Sequence, residues 1–191
     1  METTVKADFR RPELMELLEA MGQFFEGFGL RRNLGRVWGV LYLSGERVDN
    51  AIGLDPDAAY HAYEFWTDTY LGKLNGRDRL ERKLAPGHCA MISVRRALPH
   101  PQVLSTDRHL LQGWVDLKDV HWDAGKKSLH GSAKVIGGET FRIVLAGNGL
   151  NLTSVQVDSG SASLSPHLAS ADLRVLAIRS PETADVKWSV R

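Results

Sequence analysis

The apolar residues of this chain change their period once, near Gly45, and a chain that does so cannot be uniformly helical or uniformly β. Before that point Leu14, Leu17, Leu18, Met21, Phe24, Phe25 and Phe28 recur at spacings of three and four, with Glu13, Glu16 and Glu19 between them. This is the pattern of an amphipathic helix. Pro12 suits its first turn, where the missing N–H would have no partner anyway, and Gly27 to Gly29 suit its end. Leu34, Val37, Trp38 and Leu41 repeat the spacing, with Asn33 placed to cap and Ser44-Gly45 to terminate. The first segment therefore reads as an α-helical hairpin.

After Gly45 the helical period gives way to short runs rich in aromatic and β-branched residues, separated by Gly, Pro, Asp and Ser. The runs are 60–66, 88–94, 131–136, 140–145, 152–157, 173–178 and 186–190. In the last two, Leu173, Val175 and Ala177, and likewise Val186, Trp188 and Val190, alternate with their neighbours, which predicts one buried and one wet face. The links Asp123 to Ser128 and Gly137-Gly138-Glu139 carry turn chemistry and predict antiparallel hairpins. No helical pattern separates the runs, which excludes doubly wound and barrel α/β folds. The fold class expected is mainly β, an antiparallel β-sandwich preceded by the helical hairpin. The expected domains are residues 1–46, a partial set of sandwich strands over 47–97, and a C-terminal sandwich module over 98–191.

Composition narrows the function classes. Of 191 residues, 43% are hydrophobic, enough for a sizeable core. Lys and Arg number 24 against 23 Asp and Glu, so no overall field draws the chain to nucleic acid or to an anionic membrane. Cys89 is the sole cysteine, which rules out an internal disulfide or a cysteine-based metal site, and its apolar neighbourhood predicts a buried filler. The N-terminus lacks a basic-then-apolar signal pattern, and no segment approaches the ~20 apolar residues of a membrane span, so a cytoplasmic protein is expected.

Several segments, in order, resemble the region after the catalytic barrel of α-galactosidase-like (melibiase-type) glycoside hydrolases. They are LDPDAAYHAYEFWTDTYLG at 54–72, LAPGH at 84–88, PHPQVLSTDRH at 99–109, QGWVDLKDVHWD at 112–123 and VKWSVR at 186–191. The resemblance covers about residues 48–191. It implies a non-catalytic accessory β-sandwich that binds carbohydrate or docks on a catalytic barrel, and it carries over no catalytic residue and no cofactor. Residues 24–44, FFEGFGLRRNLGRVWGVLYLS, are similar to the opening helices of MarR-like regulators of the betaine-repressor type. That likeness stops at Gly45-Glu46, before the recognition helix and wing such a regulator needs to read the major groove. It implies homodimerisation through the N-terminal helices, and as the alternative function a degenerate regulator whose β portion serves as an effector or dimerisation module. A fusion or a rearranged reading frame is one account of the join.

Within this frame Trp66 and Trp122, each flanked by polar residues, are the candidate platforms for a sugar ring, because the C–H face of a pyranose packs on an aromatic face. Asp107 and His109 are the candidate polar partners. His100, His121 and Asp123 lie near them in sequence, but the spacings match no metal signature, so neither metal nor cofactor is expected. Arg31, Arg32 and Arg36 are the candidate phosphate contacts of the regulator-like alternative. No pair of carboxylates is placed by sequence across a cleft as glycoside cleavage requires, so no catalytic residue is assigned and the chain is read as not an enzyme.

Overall fold

The computed structural model describes residues 12–27, 54–78, 80, 82, 89–108 and 111–191. The chain divides into two compact units, Met1–Pro56 with Gly76–Arg79, and Asp57–Asn75 with Leu80–Arg191.

In the first unit α1 runs Pro12–Gly27, with the boundaries the sequence predicts. Its buried line passes through Leu18 and Gly22, one i,i+4 step, whereas Leu17 and Phe24 are exposed. The reason is geometric: each residue turns the helix by roughly 100°, so Leu17 points well away from Leu18. The expected second helix, with Trp38, Arg31, Arg32 and Arg36, lies outside the described residues. No helix among the described residues is long and apolar enough to cross a membrane.

The second unit is mainly β, as expected. Its strands are β1 (Ala59–Glu64), β2 (Thr69–Asn75), β3 (Ile92–Arg96), β4 (Gln102–Thr106), β5 (Leu117–Asp123), β6 (Ser128–Val135), β7 (Thr140–Ala146), β8 (Val155–Val157), β9 (Ser161–His167), β10 (Ser170–Arg179) and β11 (Ala184–Val190). They form three antiparallel sheets with strand orders β2-β1-β3, β4-β7-β10-β9 and β5-β6-β11-β8.

The β4-β7-β10-β9 sheet is the middle layer. On one side Val103, Phe141, Ile143, Leu145, Leu176 and Ile178 meet Leu129, Val186, Trp188 and Val190 of the β5-β6-β11-β8 sheet in a large apolar core. On the other side Leu104, Val144, Ala146 and Leu173 meet Tyr63 and Tyr70 of the small sheet. Because side chains alternate across a strand, consecutive residues such as Ile143 and Val144 serve different cores. This corrects the expectation of a wet face on the 173–178 run: Leu173 and Val175 are buried as well as Leu176 and Ile178. The same alternation holds as predicted in β11, where Val186, Trp188 and Val190 are buried and Asp185 and Lys187 exposed. Trp188 lies so close over Gly131 that an added Cβ there would stand 2.4 Å from its ring, which is why that position has no side chain.

The two predicted turns behave differently. Asp123 to Ser128 closes the β5–β6 hairpin, with the Lys126 amide donating to Asp123 Oδ1. Gly137-Gly138 instead carries the chain from one sheet to the next, because β6 pairs with β5 and β11 while β7 pairs with β4 and β10. The Gly137 N–H donates to Thr183 Oγ1 and the Gly138 N–H to the Ser180 carbonyl, which stitches this crossing to the parallel crossing between β10 and β11. Gly138 adopts φ +79°, and a Cβ on Gly137 would crowd the Glu182 backbone at 3.0 Å. Glycine chemistry marks a tight reversal but does not say whether the next strand pairs or crosses.

Cys89 is exposed, in the coil before β3, not the buried filler its neighbours suggested. Strand β9 (SASLSPH), which has little apolar content, sits at a sheet edge, where Pro166 costs no ladder bond to a further strand.

Candidate functional site

β1 ends at Glu64, and the chain turns through Phe65, Trp66, Thr67 and Asp68 into β2. The Glu64 side chain is buried and accepts hydrogen bonds from the Trp66 amide (3.2 Å), the Thr67 amide (2.6 Å), the Thr67 hydroxyl and the Met91 amide (3.2 Å). Burial works against its charged form, but these hydrogen bonds outweigh it and hold the carboxyl below the ordinary carboxylate range. A carboxylate that accepts four hydrogen bonds stiffens the turn it serves. On that turn the Trp66 side chain stands more than half exposed, at 55%, with its ring edge-on to Phe65.

Asp68 closes the turn at φ +49°, a conformation aspartate tolerates better than most residues. Its Oδ1 accepts from the Tyr63 hydroxyl at 2.7 Å, and its Oδ2 pairs with Arg142 Nη1 at 3.1 Å. Tyr63 Oη also lies 3.0 Å from His167 Nε2, and His167 Nδ1 accepts from the Ala169 amide. Since Nδ1 is an acceptor, a neutral His167 carries its proton on Nε2, and the donors run in one direction, from His167 to Tyr63 to Asp68. Partial burial lowers the His167 pKa, which fits a neutral ring. Burial, followed by the Asp68 carboxylate, pushes the Tyr63 hydroxyl far up, so it remains a donor.

Arg142, on β7 of the middle sheet, extends this group. Its amide donates to Asp107 Oδ1 at 3.0 Å, and the Asp107 amide donates back to the Arg142 carbonyl at 3.2 Å. Partial burial raises the Asp107 carboxyl, opposed by the Arg142 amide and charge. Asp68, Arg142 and Asp107 thus form one connected chain of groups from the small sheet to the middle sheet, and Trp66 stands two residues before Asp68 on the same turn. The turn offers an exposed aromatic ring, and the chain of groups that begins at Asp68 offers carboxylate acceptors and a guanidinium donor. Those are the groups that hold a neutral polyhydroxylated molecule by stacking and by paired hydrogen bonds.

Of the predicted site residues, Trp66 lies on the turn that Asp68 closes, and Asp107 is linked to Asp68 through Arg142. Trp122 is engaged differently: half-buried on β5, it packs against the large core, and its ring stacks on His100 at 5.6 Å with the planes 2° apart. His109 lies outside the described residues. Arg142 carried no sequence signal, since a lone arginine in an apolar strand looks the same whether or not it reaches a neighbour. His121 stacks on His130 at the surface, and among the described residues no group of three His, Cys, Asp or Glu side chains is placed to share a metal ion.

A second polar group, at the other end of β1, is structural. Tyr70 donates to His61 Nδ1, His61 Nε2 donates to Asn148 Oδ1, and Asn148 Nδ2 donates to the His100 carbonyl and Gln102 Oε1. Burial depresses the His61 pKa, so the ring is neutral, and its two nitrogens are both satisfied.

Comparison with protein-family models, with curated proteins and with solved structures gives no match.

Proposed function

We propose that the β unit is a non-catalytic accessory module of glycoside hydrolase type that binds carbohydrate, with Trp66 as the sugar platform and Asp68, Arg142 and Asp107 as hydroxyl partners. One observation carries the reading: an exposed tryptophan is held on a turn that a buried carboxylate braces through three hydrogen bonds, while a fourth ties the same carboxylate to Met91. An aromatic fixed before binding loses little conformational freedom when a ring stacks on it. The carboxylates favour binding over catalysis, because Glu64 has its oxygens occupied by N–H and O–H donors and Asp68 is shared between Tyr63 and Arg142. The motif resemblance of residues 54–72 to the post-barrel region of α-galactosidase-like enzymes names the sugar class to try first.

The test is a calorimetric and tryptophan-fluorescence titration of the full chain with galactosides and galacto-oligosaccharides. A saturable response that Trp66→Ala abolishes and Trp122→Phe retains is the expected result. A flat response across neutral hexosides, or one indifferent to Trp66→Ala, overturns the reading.

A further inference from the structure

The three sheets end on one side in the edge strands β3, β4 and β5. Between those edges lies a cavity of about 310 Å³, lined among the described residues by Arg95, Val103, Gly113, Trp114, Leu117 and Val120. Each layer contributes to the lining: Arg95 from β3, Val103 from β4, and Leu117 and Val120 from β5. The loop before β5 supplies the rest, with Gln112 and Gly113 at φ +49° and +91° bringing Trp114 to the rim.

Arg95 is the unusual member. Ser93, two residues earlier on the same face of β3, donates to the Leu104 carbonyl, so that face looks toward β4 and draws Arg95 inward. The guanidinium is largely withdrawn from solvent, and no carboxylate among the described residues pairs with it. Among the described residues it donates from Nη2 to the Gln112 carbonyl, and Nε is buried without a partner. Beside it Gln112 Oε1 is also buried and unpaired. An arginine in this position carries the desolvation cost of a charge with little to offset it. The same withdrawal lowers the Arg95 pKa. The remaining lining is apolar, and Trp114 is 71% exposed at the opening, with Val115 and Val120 beside it.

We propose that this cavity is a binding site for a small monocarboxylate, whose charge meets the Arg95 guanidinium and whose compact apolar body lies against Trp114, Leu117 and Val120. A guanidinium matches a carboxylate in shape and charge. One cation and an apolar lining suit a single negative charge on a hydrophobic body better than a phosphate dianion. The site is independent of the Trp66 surface and does not require it to bind sugar.

The experiment titrates the full chain with cyclohexanecarboxylate, and in parallel with cyclohexylmethanol as the uncharged counterpart, by calorimetry and ligand-observed NMR. The carboxylate is expected to bind saturably, and the alcohol at least about tenfold more weakly, the loss of one charge-assisted contact. Arg95→Gln should weaken the carboxylate by a similar factor while leaving the alcohol unchanged. As a second readout from the rim, Val120→Asp removes an apolar contact that both ligands share and adds a negative charge, so it should weaken the carboxylate by at least about tenfold more than it weakens the alcohol. No saturable signal with the carboxylate overturns the proposal. Equal affinity for acid and alcohol, or undiminished carboxylate binding in the folded variants, also overturns it.

Discussion

The two faces of the middle sheet are built from the same four strands and do different work. The face toward β5-β6-β11-β8 is closed by aliphatic residues, Phe141 and Trp188. The face toward the small sheet has a handful of apolar residues and is bordered by hydrogen-bonded polar groups at both ends of β1. Aliphatic packing gains stability without direction, whereas hydrogen-bonded polar groups fix positions and gain little net stability. The comparison therefore places most of the stability on one face and the oriented chemistry on the other.

A matched pair of substitutions tests this most directly. Leu145 and Leu173 are both fully buried, on opposite faces. Leu145→Ala should cost about 4 kcal/mol and Leu173→Ala about 2.5 kcal/mol, because the smaller cluster can close around a lost side chain more readily. Equal losses in urea denaturation would break the division of labour. Gly131→Ala, which drives a methyl into the Trp188 ring, should cost about 2 kcal/mol by overpacking the large core.

On the polar face, Glu64→Gln replaces an acceptor with an amide whose NH₂ must confront N–H donors. A loss of about 2 kcal/mol is expected, together with faster amide exchange at Trp66 and Thr67.

The same face sets the response to acid. His61 and His167 have pKa values lowered by burial from an ordinary 6.5, so the unfolded chain takes up protons that the folded chain resists. Stability should be unaffected by these groups above about pH 7 and fall as pH drops through 6.5 towards their depressed folded values. Glu64, depressed below 4.5, adds a further loss at lower pH. Urea midpoints measured from pH 7.5 to 5.5 should decline, and a His61→Gln/His167→Gln chain should show a flatter profile. The smallest effect on stability belongs to Trp66→Ala, within about 0.5 kcal/mol, since its ring is exposed. A large loss there would mean that Trp66 is a packing residue and not a platform.

Strands with strong apolar content were legible in the sequence: 140–145, 173–178 and 186–190 all fall inside strands. Strand β4 escaped because Gln102, Ser105 and Thr106 are polar yet buried, satisfied by partners no local pattern reveals. β2 and β9 escaped because partly exposed strands show little alternation. Within the candidate site Trp66 was legible as an aromatic among polar residues. Arg142, 74 residues beyond Asp68, was not, because only folding brings the two together.

The sequence alone determined the class of the segments it marked: a helix opening at Pro12 and closing at about Gly27, β runs from residue 60 onward, and the turn that closes the β5–β6 hairpin. Period and turn chemistry are local properties, expressed within a few residues. Only the tertiary structure decided that Gly137-Gly138 crosses between sheets, that one sheet is buried on both faces, and that Arg142 links Asp68 to Asp107. Those outcomes depend on which apolar faces find each other across long stretches of chain, and a two-residue turn holds no record of that choice.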